Sequence, residues 1–98
     1  MTVLAELRYR VRPVCRLQWE FWNDEYVVFE EASGQTHQLD PLHAFVLQLL
    51  SEEAQTSSAV LQAVSEPQFA PDVLHLKAQL KTIFTEFEAA GLLESVAP

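Results

Sequence analysis

The chain has 98 residues with 14 acidic and 6 basic side chains, a formal charge of −8 at pH 7. This length suits one domain, which buries about 65% of its unfolded surface without help from disulfides or metals. The excess of acidic residues argues against nucleic-acid binding, because phosphate neutralisation supplies most nonspecific affinity. Cys15 is the only cysteine, so no intramolecular disulfide forms. With no signal peptide or membrane span evident, a cytoplasmic protein that does not bind membranes is expected.

Residues 1–13 are predicted to form a basic arm. Apolar residues at 7, 9 and 11 alternate with arginines, which is a strand pattern with one apolar and one basic face. Two interpretations remain open: an arm that packs on an edge or is disordered, and an arm that contacts a partner protein or a second copy of the chain. The partner-binding residues of the second interpretation would be Arg8, Arg10 and Arg12.

Residues 17–39 are predicted to form a three-stranded antiparallel sheet. Leu17, Trp19 and Phe21 alternate with polar residues on the first strand, and Asn23-Asp24 supplies a turn. The second strand is aromatic and β-branched, and the third, 35–39, is short and mostly polar. If the third strand lies at the edge of the sheet, its unpaired backbone groups are a template for another extended segment.

Three helices are predicted over 41–53, 57–65 and 72–90. Asp40-Pro41 begins the first, because the aspartate can cap free N–H groups and proline fits the first helical position. Gly91 ends the third, and 94–98 is expected to be a frayed tail. The order predicts an α+β, winged-helix-like domain spanning 1–98, with Trp19, Phe21 and Phe45 in its core.

The sequence contains no recognisable catalytic or metal motif. His37, His43 and His75 fall on three different elements with no ligand pair four residues apart on one helix face. No histidine lies near Cys15 to activate it. We therefore expect no enzymatic activity, no cofactor and no metal.

Two stretches carry a resemblance to a known family. Residues 22–29 (WNDEYVVF) and 33–41 (SGQTHQLDP), followed by 44–50, resemble the PqqD-like family of peptide chaperones. The chain is most similar to the branch found beside HPr-kinase-related proteins in presumed peptide-modification gene clusters. The resemblance covers about residues 7–93, and its most specific part is the hairpin with the SGQTHQLDP joint.

This resemblance implies a non-catalytic protein that binds the leader of a ribosomally made precursor peptide and presents it to a modifying enzyme or an HPr-kinase-related protein. The leader would add as an antiparallel strand to the third strand and occupy a groove beside the third helix. The residues implied on the strand are Gln35, Thr36, His37 and Gln38. Those implied on the helix are Leu76, Lys77, Leu80, Lys81 and Phe84.

Other interpretations stay open at this stage. Lys77 and Lys81 share a helix face, where they could meet an acidic leader or only solubilise the surface. Leu76, Leu80 and Phe84 have the spacing of ordinary core residues. For the whole chain, the alternatives are a winged-helix DNA-binding or transcriptional adaptor domain, and a scaffold subunit for a kinase-like partner. An unpaired edge also allows a homodimer.

Overall fold

A computed structural model describes residues 7–64 and 73–96. Four strands come first in these residues, and three helices and two further strands follow, with the strands arranged in two antiparallel sheets. In chain order they are β1 (Arg8–Val11), β2 (Leu17–Trp22), β3 (Glu25–Glu30), β4 (Gln35–Leu39), α1 (Pro41–Glu52), β5 (Gln55–Thr56), α2 (Ser57–Val64), α3 (Val73–Ala89) and β6 (Leu93–Val96). The α+β, winged-helix-like class predicted from the sequence is confirmed.

The first sheet has the order β2-β3-β4, as the sequence predicted. A two-residue turn joins β2 to β3, and both of its residues have positive φ, 55° for Asn23 and 60° for Asp24. Such a turn matches the right-handed twist of paired strands. Gly34, with φ of 75°, closes the turn before β4. Residues that tolerate positive φ therefore occupy both turns of this sheet, and these turns set its register.

The second sheet was not predicted. Its order is β5-β1-β6, so the predicted basic arm supplies the central strand of a sheet. Arg8 pairs with both Thr56 and Val96, and the predicted frayed tail is a strand up to Val96. The partners of β1, β5 and β6, are short strands that lie far from it in sequence, so no local sequence pattern predicts the pairing.

Side-chain chemistry stabilises the junction of β1 and β6. The Arg10 side chain lies 2.6 Å from a carboxylate oxygen of Glu94, and Arg12 lies 4.0 Å from the other oxygen. On the opposite face of β1, Tyr9 and Val11 pack against the hydrophobic core. The strand therefore faces the core on one side and forms ion pairs within the chain on the other.

The three helices lie close to their predicted bounds. Asp40 caps α1 by accepting a hydrogen bond from the backbone N–H of His43, over 2.8 Å. Gly91 ends α3 with φ of 79°, and the Leu92 N–H returns to the Phe87 carbonyl. The predicted last residue of the second helix (65) and first residue of the third (72) lie outside the described residues.

The core lies between the helices and the inner faces of both sheets. It is built from the apolar stripes of the three helices, one residue from each of β3 and β4, and the leucines after α3. Its fully buried larger members are Val28, Val46, Leu47, Leu50, Val60, Val64, Leu76, Ile83 and Leu92.

Phe21 does not belong to the core, contrary to the sequence prediction. Its exposure is 62%, whereas Trp19 and Phe45 pack against the core as partly buried residues. Phe21 pairs directly with Tyr26 near the tip of the β2–β3 hairpin, and the two rings lie with their centroids 4.8 Å apart and their planes tilted by 50°. Two-residue alternation identifies the face of a strand, but it does not show how far along the strand the core extends.

Candidate functional site

β4 is an edge strand. Among residues 7–64 and 73–96 it pairs only with β3, so its other side is free of strand partners there. Edge strands present a row of backbone donors and acceptors to any extended chain that approaches. The polar third strand was expected to lie at this position.

Backbone hydrogen bonds at the end of β3, together with the strand register, identify the backbone groups of β4 that face outward. The Glu31 N–H bonds to the Arg16 carbonyl, while the Glu30 carbonyl accepts from the Gly34 N–H. Odd-numbered residues of β3 therefore bond toward β2, and even-numbered residues of β3 bond toward β4. Because Glu30 pairs with Gln35 and Val28 with His37, Thr36 and Gln38 direct their N–H and C=O groups to the open side.

A groove runs between this strand and α3. It consists of two cavities of about 480 and 370 Å³ that share Asp40 and His43 in their walls. The larger lies beside β4, lined by Thr36, His37, Gln38, Leu39, Asp40, His43, Glu86, Phe87 and Ala90. The smaller continues past the end of β4 between the start of α1 and α3, lined by Asp40, Leu42, His43, His75, Ala78, Gln79, Thr82 and Ile83. The groove is thus apolar at intervals and polar at the junction of its two halves.

His43 bridges two carboxylates at that junction. Its Nδ1 lies 2.8 Å from Asp40 Oδ1, and its Nε2 lies 3.4 Å from Glu86 Oε2. The imidazole and Phe87 rings are nearly perpendicular, with centroids 5.7 Å apart. Partial burial opposes ionisation of Asp40, but hydrogen bonds from the His43 backbone and ring lower the pKa of its carboxyl overall. Polar contacts through His43 therefore connect the end of β4 to α3.

A buried carboxylate holds the turn that precedes β4. Glu30 is only 3% exposed and accepts hydrogen bonds from the N–H groups of Arg16, Ala32 and Ser33, at 2.9, 3.0 and 2.8 Å. The Arg16 N–H contributes most to lowering the pKa of Glu30, and the other two N–H groups act in the same direction. This cap fixes the point at which β4 begins.

The structure divides the sequence-predicted site residues between two surfaces. Thr36, His37 and Gln38 line the β4 groove, and Gln35 is exposed at the start of the strand. The Nε2 atom of His37 is enclosed in this wall without a hydrogen-bond partner among the described residues.

The five site residues predicted on the third helix do not line the β4 groove. Leu76 is fully buried, and the other four line a separate groove of about 560 Å³ whose walls include Tyr9 and Leu61. At 3.6 residues per turn, the α3 residues of this groove and those of the β4 groove are centred on opposite sides of the helix. The sequence identified a single stripe on α3 but not the side that faces β4.

Sequence reasoning missed the charged members of the β4 groove. Asp40 was identified only as a helix cap, and neither His43 nor Glu86 was assigned to the site. The only available signal was the position of Asp40 and His43 directly after the edge strand. Glu86 joins them through the packing of α3, which no local pattern specifies.

Most of the remaining candidate groups have structural partners. Arg10 and Arg12 face Glu94, whereas Arg8 is exposed at the start of β1. The Cys15 thiol donates to the Gly91 carbonyl over 3.4 Å, and burial, followed by the nearby Glu30 charge, raises the pKa of this thiol. Within the described ranges, no cluster of three or more potential ligand side chains suits a metal ion, and none of the helices has the length and apolar character to cross a membrane.

No family model and no curated protein matches the sequence. Two solved structures share the fold. TbiB1, solved in complex with the TbiA(beta) leader peptide, superposes with a TM-score of 0.69 over 91% of this chain and 99% of its own, at 18% identity. A lasso peptide synthetase B1 complexed with the leader peptide gives 0.66 over 88% of this chain and 96% of its own, at 17% identity. The chain therefore has the fold of these two proteins along nearly their whole length.

Proposed function

We propose that the chain is a non-catalytic protein that binds the leader of a ribosomally synthesised precursor peptide. The leader adds as an antiparallel strand to the open side of β4, and its side chains enter the groove between β4 and α3. Main-chain hydrogen bonds supply affinity in this mode of binding, and pockets for alternate side chains supply specificity. The bound precursor is presented to a separate modifying enzyme.

The observation that carries the proposal is the open edge of β4 beside a groove. The outward backbone groups of Thr36 and Gln38 are the ones that a strand would pair with. Two proteins of the same fold were solved with leader peptides, and the PqqD-like resemblance of the hairpin and the SGQTHQLDP joint agrees with them. Together these observations favour a peptide over a small molecule.

The negative charge on the β2–β3 hairpin argues against the alternative of a DNA-binding winged helix. Glu20, Asp24 and Glu25 lie exposed around its tip, where a DNA-binding protein would need cations to meet phosphates. Both lysines of the sequence lie instead on α3, in the groove away from β4. Contact of the leader with that second groove stays a prediction, since a leader would have to extend past the β4 edge to reach it.

The finer partners belong to the same proposal. A modifying enzyme or an HPr-kinase-related protein is the expected recipient of the precursor, in the cytoplasm. The alternative of a scaffold that acts through the arginine arm needs Arg8, because Arg10 and Arg12 already face Glu94. Deletion of residues 1–12 would remove all of β1, so Arg8→Ala is the sharper test of that alternative. Light scattering distinguishes a monomer from an edge-paired homodimer.

The proposal is tested by titrating isotope-labelled protein with the precursor encoded beside its gene. We expect amide shifts in β4 and in the α3 residues that line the same groove. Hydrogen exchange should slow most at Thr36 and Gln38, because their N–H groups gain partners. Shifts confined to another surface, or no shifts at saturating peptide, would contradict strand addition at β4.

A further inference from the structure

The chemistry of the β4 groove points to one property of its occupant, an inference that rests on the proposed function. The carboxylates of Asp40 and Glu86 contact opposite nitrogens of the His43 imidazole where the two halves of the groove join. The described lining of both halves contains no lysine or arginine. Even with His43 protonated, two carboxylates exceed one imidazolium, so the junction keeps an excess of negative charge.

Glu86 has acceptor capacity to spare. Its side chain is 57% exposed, and among residues 7–64 and 73–96 its one ion-pair contact is the 3.4 Å approach of His43 Nε2. A carboxylate offers about four lone-pair sites to donors. Asp40, by contrast, already accepts from both the backbone N–H and the ring of His43. Glu86 is therefore the group best placed to receive a charged donor from a bound segment.

The position of Glu86 on its helix supplies a second, independent argument. It lies in the last turn of α3, which has no basic residue, and negative charge there opposes the helix dipole. Phe87 and Ala90 line the same half of the groove, so the C-terminal end of α3 borders it. Helix stability does not account for Glu86, whereas a cation in the groove would interact favourably with both the carboxylate and the dipole.

Apolar side chains flank the charged junction on both sides. Leu42 and Ile83 line one half of the groove, and Leu39 and Phe87 line the other. A strand projects alternate side chains to one face, so successive inward residues of an added strand would meet apolar, charged and apolar surface in turn.

We propose that the leader carries a lysine or arginine where it passes Glu86, with apolar residues at the neighbouring inward positions. Glu86 is then a specificity-determining residue for the leader. This differs from one of the two interpretations left open by the sequence, in which Lys77 and Lys81 meet an acidic leader, because those lysines lie in the groove on the other side of α3.

A displayed library of random twelve-residue peptides, selected on the immobilised full chain, tests the proposal. Peptides count as β4 binders when they shift the amides of Gln35–Leu39. We expect β4 binders of the wild type to carry Lys or Arg at one fixed position between apolar residues. For a synthetic binder, exchange of that cation for Gln should weaken binding about two- to fivefold, the range of an exposed ion pair, and less at high salt.

Two variants sharpen the test. Glu86→Lys should select Asp or Glu at the fixed position, or lose the preference. Glu88→Lys makes the same charge change in the same helical turn, but Glu88 lines the other groove, so its selection should match the wild type. Circular dichroism checks that both variants keep the helical fold, and Glu86→Gln serves as the milder replacement if Glu86→Lys does not fold.

The outcomes separate the two proposals. β4 binders with no basic preference, or an unchanged preference in Glu86→Lys, would overturn the inference and leave strand addition intact. If no peptide, including the natural precursor, shifts the β4 amides, strand addition fails and the inference fails with it.

Discussion

Tyr9 and Phe84 stack with their ring centroids 4.8 Å apart and their planes 7° from parallel. This contact joins the central strand of the second sheet to α3, and Phe84 is only 6% exposed. The segment that looks like a loose arm in the sequence is thus attached to the helix that forms one wall of the candidate site.

Truncation of this pair should destabilise the whole chain. Phe84→Ala should lower the free energy of unfolding by about 3–5 kcal/mol, the usual cost of removing a buried phenylalanine. A double-mutant cycle with Tyr9→Ala should give a coupling of about 0.5–1.5 kcal/mol from ring stacking. Urea unfolding measures both values. Gln48→Ala, at an exposed position on α1, should change stability by no more than about 0.5 kcal/mol, and a cycle without coupling would contradict the stacking contribution.

Proline at position 38 should abolish strand addition without unfolding the sheet. The Gln38 N–H faces the open side of β4, so its removal leaves the β3 pairing intact. Calorimetric titration with the precursor should show lost binding for Gln38→Pro and largely retained binding for Gln38→Ala, which keeps the N–H. His37→Pro should instead destabilise the sheet, because that N–H faces β3. Retained binding in Gln38→Pro would contradict the assignment of the outward groups.

Stability should fall in acid through Glu30. Hydrogen bonds from three backbone N–H groups hold its pKa below the ordinary value of 4.5 when the chain is folded. The stabilisation is therefore complete above pH 4.5 and is lost as pH drops through the lower folded pKa. Urea unfolding between pH 3 and 6 should show this slope in the wild type. The slope should be smaller in Glu30→Gln, which should also be less stable at neutral pH, and equal slopes would exclude Glu30 as the cause.

The β2–β3 turn offers a stabilising substitution. Asp24 has φ of 60°, a conformation that costs most L-residues about 1–2 kcal/mol and glycine very little. Asp24→Gly should therefore raise the free energy of unfolding by up to about 1 kcal/mol, since Asn-Gly is the preferred pair in such turns. Thermal unfolding measures the change. Asp24→Val should act in the opposite direction, and a stabilised valine variant would contradict this reasoning.

Local patterns were enough for the first sheet and the helices. The turn residues Asn23-Asp24 and Gly34 and the cap at Asp40 each act over a few neighbours, so the sequence displays them directly. The second sheet depends on pairing between Arg8 and Val96, and the groove depends on which side of α3 meets β4. Such relationships arise from packing across the whole chain. For the same reason the sequence revealed the strand half of the candidate site but neither Glu86 nor its bridge through His43.

The register of β1 with β6 has a practical consequence. Arg8 stands directly opposite Val96, so the two ends of the described fold emerge side by side, on the sheet that does not contain β4. Domains with adjacent ends tolerate circular permutation and insertion into loops of other proteins. The fold could therefore be grafted into a surface loop of an enzyme, or reopened at Asn23-Asp24 with its ends linked, while its peptide-docking strand stays continuous.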